Sequence, residues 1–246
     1  MEISPIIQSL CIVNSNTASN TERLQATNFL EGNVKQQNVE ILIPIATSLL
    51  SGQQESFVRY FALQILEVIC RERWNNINKD DKQRFIQLLL SLLSSNTLFV
   101  ERFLKEKYSF VVVEVAKREV PQNWNDFFSS FLSLCSRGEY YIEIVLIILR
   151  VFAEEIKQFN SDLSDKRRKD LSNTLLKECS SIFPFFQQLL YYYINQITIN
   201  TNGQNDTVNM VLIVENTLNT LESYLSWSPI EYVFYFVFFC YFFNYL

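Results

Sequence analysis

The chain has 246 residues, 48% of them hydrophobic and 19% charged, with a formal net charge of -5 and no histidine. That apolar content excludes disorder along the whole length and suffices for one large domain or two small ones, while four glycines and five prolines are too few for an all-β or doubly wound α/β chain. The acidic balance also lacks the basic footprint of a protein that binds nucleic acid unaided.

Cys11, Cys70, Cys135, Cys179 and Cys240 lie far apart, with no CxxC and no histidine to complete a zinc set, so they read as small buried hydrophobes in a reducing compartment. Without histidine the Ser/His and Cys/His nucleophile pairs are unavailable. No Walker loop, GxGxxG or HExxH occurs, so neither an enzyme nor a bound cofactor, metal or small-molecule substrate is expected. The start MEISPIIQSL has neither the basic region nor the apolar core of a signal peptide, and the chain is expected to begin in the cytosol.

In chain order, apolar residues recur at helical spacing between short polar breaks, and the spacing predicts five helix pairs: 3–13 with 19–31, 38–51 with 55–73, 79–94 with 99–118, 122–136 with 139–158, and 165–196 with 206–226. At roughly 45 residues per pair this matches the period of HEAT and armadillo arrays. In the second pair, Val58, Phe61, Ala62, Ile65, Leu66 and Ile69 form a stripe that Leu63, Val68 and Cys70 widen beyond one face. A helix wedged between its hairpin partner and the next repeat needs that breadth. Periodicity alone leaves a single globular bundle open; the regular pair length favours an all-α, right-handed α-α superhelix, a HEAT-repeat solenoid of about five antiparallel pairs spanning 1–228. Pro121 is expected in a first helical turn, between the third and fourth pairs. Pro44 and Pro184 are expected to kink or restart their helices.

VRYFALQILEVICRERWNNIN from Val58 and VVVEVAKREVPQNWNDFF from Val111 resemble the N-terminal region of the importin-β superfamily of nuclear transport receptors (karyopherins), its exportins in particular. The signature positions are Arg71 and Trp74, the hinge Lys117, Arg118, Glu119, Pro121 and Trp124, and Trp227 closing LNTLESYLSW. DKRRKDLSNTLLKECSSIF is similar to the basic start of the family's long fifth-repeat helix. The chain departs from the family at Val120 and Asn125. The resemblance implies a receptor that shuttles between nucleus and cytoplasm, binds the small GTPase Ran in its GTP form, takes structured RNA or protein cargo through regions mostly outside this chain, and can meet nucleoporins. It also implies that second helices line a concave surface around Ran, which makes Arg59, Gln64 and Glu67 candidate contacts. The run Lys166, Arg167, Arg168 and Lys169 would suit an acidic partner or RNA phosphate; the plainer reading is a solvated face. The three tryptophans are expected to wedge between adjacent repeats.

The tail from 229 to 246 crowds ten aromatic residues between Tyr232 and Tyr245. A membrane span needs about 20 apolar residues, with aromatics mainly at its edges, so a span is not favoured. The expected origin is a truncated reading frame or read-through, not a domain; a tail anchor and a packed terminal helix stay open. A generic HEAT scaffold for protein complexes is the other alternative to a transport receptor.

Overall fold

The computed structural model describes residues 2–52, 54–94, 97–157, 163–199, 204–226, 228 and 231. Among them there is no strand. Ten α-helices follow in order: α1 (Ser4–Asn14), α2 (Asn20–Asn28), α3 (Val39–Leu50), α4 (Ser56–Val68), α5 (Lys79–Ser91), α6 (Arg102–Glu119), α7 (Phe127–Leu134), α8 (Glu139–Lys157), α9 (Asp165–Ile199) and α10 (Gln204–Leu225). These are the predicted pairs, and the fold is the expected all-α, HEAT-type series of helical hairpins. Trp227 and the tail from Tyr232 lie outside the described residues.

Two compact units divide the chain, Met1–Val115 and Ala116–Leu246, the boundary falling inside α6. In the first unit α1 packs on α2 and α3 on α4, and α1 also touches α4. The broad stripe of α4 is buried on both flanks, all of it except Val68. Trp74 is buried edge-on against Phe85 of α5, ring centroids 5.3 Å apart, and so joins the second pair to the third. Tyr108 of α6 donates from its hydroxyl to the Leu89 carbonyl at 2.8 Å. In the second unit α7 packs on α8, and α10 packs on both α8 and α9. Trp124, buried, meets Phe127 at 5.0 Å, and Phe127 meets Phe152 of α8 at 5.5 Å.

Local chemistry sets the helix ends. Ser19 and Glu22 make a reciprocal capping box at α2, satisfying two of the N–H groups a helix start leaves orphaned. Asn78 caps α5 by accepting from the Asp81 N–H at 2.9 Å. Gly52, at φ +75°, leaves α3 through a left-handed turn that only glycine adopts without strain. Two second helices end in π turns, Phe29–Val34 after α2 and Ile69–Arg73 after α4, which the spacing did not predict.

Four expectations need correction. Pro121 does not open a helix: it follows a cis peptide bond in the turn after α6, where the Asn123 and Trp124 N–H groups donate back to the Glu119 carbonyl at 2.8 and 3.2 Å, and α7 begins only at Phe127. Pro44 and Pro184 restart neither helix, since α3 and α9 each run on through the proline. Burial of Leu42, Ile45 and Ala46 around the first, and of Ile182, Phe183 and Phe186 around the second, offsets the lost hydrogen bond. Cys11 is exposed, because α1 buries only the Ile6 and Leu10 side. Cys135 is half-buried, whereas Cys70 and Cys179 are buried as expected.

Candidate partner-binding surface

The candidate residues Arg59, Gln64 and Glu67 all project from α4, and each is engaged within the first unit. Arg59 donates to the Leu98 carbonyl at 3.1 Å. Gln64 accepts from Lys35 Nζ at 3.4 Å, and Lys35 also pairs with Glu31 at 2.7 Å. Glu67 pairs with Lys107 of α6 and with Arg71, the latter at 3.5 Å. Polar links therefore run from the end of the first second helix, through α4, to α6. Aromatic faces back them: Lys35 Nζ lies 5.4 Å from the Phe61 ring centre and Lys107 Nζ 5.6 Å from that of Tyr60, distances at which the ring quadrupole attracts a cation. Arg73 reaches back to the carbonyls of Gln37 and Lys35, the latter at 2.7 Å, answering acceptors left by the preceding helix end.

In the second unit the hinge residues have structural partners. Lys117 is 2% exposed at its side chain and pairs with Glu155 of α8 at 2.8 Å. Glu119 accepts from Asn123 Nδ2 at 2.7 Å. The basic run splits in two. Arg167 donates to the carbonyls of Lys117, at 2.8 Å, and Val120, and to Gln122 Oε1 at 2.8 Å. Its cation opposes the dipole of its own helix but caps the negative end of α6, and burial pulls its pKa down from the ordinary arginine value. Arg168 lies 3.7 Å from Asp165. Lys166 and Lys169 are exposed and remain the two members of the run facing solvent.

Sequence reasoning missed Lys35, Arg73, Lys107 and Glu155. A basic residue at or just past the end of a second helix is a usable signal for Lys35 and Arg73. Nothing local separates Glu155 from its neighbour Glu154. A groove of about 510 Å³ between α3 and α5, lined by Ile43, Pro44, Ile77 and Phe85 among others, also escaped it. Among the described residues no helix is long and apolar enough to cross a membrane.

The profile of the exportin 1-like protein family matches residues 101–246, a match that includes the aromatic segment. The chain is 28% identical to exportin-5 of Homo sapiens over 234 residues, 93% of this chain and 19% of that protein. It is 27% identical to exportin-5 of Dictyostelium discoideum over 240 residues, 94% of this chain and 21% of that protein. To exportin-1 of Drosophila melanogaster it is 26% identical over 193 residues, 76% of this chain and 17% of that protein. The chain thus spans about a fifth of the length of the curated relatives it matches.

Proposed function

This chain belongs to the exportin 1-like protein family, and on that premise we propose that it forms the GTPase-embracing part of a nuclear export receptor. The similarity to exportins over more than nine tenths of the chain carries the reading. In it the protein binds Ran in its GTP form along the second helices of the first unit, with Arg59, Gln64 and Glu67 of α4 as the first residues to test. Structured RNA or protein cargo is held mainly by regions beyond this chain, nucleoporins are met in transit, and the protein shuttles between nucleus and cytoplasm.

The mechanism is non-catalytic. GTPase and cargo bind together and each raises the affinity of the other, by a coupling term of about 1 to 3 kcal/mol, until GTP hydrolysis releases both. Stacked hairpins that touch mainly their neighbours suit this, because small adjustments between pairs sum along an array. Arg59, Gln64 and Glu67 already hold intramolecular partners, so a bound GTPase must share or exchange those contacts.

The test is a pull-down of the full chain with Ran locked in the GTP form, against the GDP form. Retention by the GTP form alone is expected, weakened about tenfold by reversing the Glu67 charge (Glu67→Lys), since one interfacial charge pair is worth about 1.5 kcal/mol or more. Equal or absent retention by both forms removes the receptor reading and leaves a helical scaffold.

A further inference from the structure

The π turn Ile69–Arg73 that follows α4 carries two arginines, and they do different work. Arg73 is half-buried and commits its guanidinium to the Gln37 and Lys35 carbonyls, closing the preceding helix end. Arg71 keeps its side chain 53% exposed, with Nη1 3.5 Å from Glu67 Oε1. The carboxylate that holds it is anchored. Glu67 is only 18% exposed, and its other oxygen, Oε2, pairs with Lys107 Nζ, which lies 5.6 Å from the ring centres of both Tyr60 and Phe110. Two surface pairs of the same unit are built differently. Arg84 and Arg102 meet Asp81 and Glu106, carboxylates 42% and 44% exposed, so water competes for both partners and neither side chain is fixed.

We infer that Arg71 is the residue that receives a carboxylate of the protein partner, and that Glu67 is a positioning residue holding the guanidinium toward solvent. This rests on the GTPase reading, and names a contact within it. Charge supports it: Glu67, Lys107 and Arg71 set one carboxylate against two cations, a local net of +1. Geometry agrees, because a planar guanidinium held at one nitrogen still has N–H donors for a bidentate bond to an incoming carboxylate. Restricting the side chain before the partner arrives also lowers the entropy lost on binding. A single carboxylate fits better than a nucleic-acid backbone. Glu72, next in the chain, is exposed, and the formal charge of -5 repels a polyanion whose phosphates follow one another closely.

The test is calorimetric titration of the full chain with Ran in its GTP form. Arg71→Ala should bind about tenfold more weakly than the parent, and Arg71→Lys nearly as weakly, since an ammonium cannot replace the fork. Arg84→Ala, which removes a more exposed arginine of the same unit, should bind as the parent does. Glu67→Gln should weaken binding about threefold alone and no further in the Arg71→Ala background, the mark of a residue acting through another. The thermal midpoint of Arg71→Ala should match the parent's, separating lost contact from lost fold. Parent-like binding by Arg71→Ala or Arg71→Lys overturns the proposal, as does an equal loss in Arg84→Ala. Equal losses from Glu67→Gln in both backgrounds make Glu67 itself the contact and overturn it too. Weaker retention of a double-stranded RNA by Arg71→Ala than by the parent would make phosphate the ligand instead. A parent chain that binds the GTP and GDP forms alike, or neither, removes the receptor reading and this proposal with it; the other failures leave that reading standing.

Discussion

At the scale of single residues, the Lys117–Glu155 pair shows how a charge comes to lie in the interior. Its ammonium is removed from water, and the carboxylate 2.8 Å away recovers much of the cost. Breaking such a pair from one side leaves the other charge stranded, so Glu155→Ala should lower the unfolding free energy by about 3 kcal/mol, whereas Lys117→Met/Glu155→Leu should lose far less. Urea titration of the four corners of this cycle checks both. Two other carboxylates, the exposed Glu22 and the half-buried Glu101, behave differently. Hydrogen bonds from Ser19 and Ser56 hold Glu22 and Glu101 below the ordinary glutamate value of 4.5. Because the folded pKa is the lower one, the stabilisation is fully present above the unfolded value and is lost as pH falls through the folded value. Ser56→Ala should therefore be less stable than the parent at pH 7, and the gap should narrow as the pH falls below 4.5, read as the shift in denaturant midpoint. Thiols provide a third check. Burial pushes Cys135 and Cys179 up to about 12, while Cys11 is exposed. Iodoacetamide at pH 8 should alkylate Cys11 in the native protein and reach Cys70, Cys135 and Cys179 only in denaturant, as peptide masses will show.

Individual elements obey rules that a single chain reveals unevenly. Gly52 occupies φ +75°, so Gly52→Ala should cost about 1 kcal/mol even though no heavy atom lies within 4 Å of the added methyl. Gly32 has the same empty surroundings without the positive φ, and Gly32→Ala should stabilise by about 0.5 to 1 kcal/mol, as thermal unfolding of the pair will test. The helices themselves were legible because apolar spacing and polar breaks are local signals; α4 and its wide stripe emerge as read. The π turns and the true start of α7 were not, since they depend on which carbonyl a given N–H finds at the end of a packed helix. Nor was the task of Arg167. Its own helix start made the charge look misplaced, and only the approach of the α6 carbonyls, some fifty positions earlier in the chain, explains it. The candidate contacts were read in the same uneven way: Arg59, Gln64 and Glu67 do lie together on α4, but the lysines that occupy Gln64 and Glu67 were not foreseen.

Across the whole molecule, family membership supplies what hairpin geometry alone would leave generic, since stacked helix pairs serve many purposes and activity resides in the groups they display. The first unit displays its groups in an unusual manner. Its second helices meet through long side chains tipped with charge or amide, Lys35 on Gln64 and Lys107 on Glu67, rather than through apolar contact alone. Interlocked methyl groups resist lateral displacement, because any slip opens a void. A lysine of four methylenes can instead pivot and keep hold of the same oxygen while its backbone travels an ångström or more. Neighbouring rungs joined in this way can give under load and return, with strain spread over many torsions instead of concentrated in one packing defect.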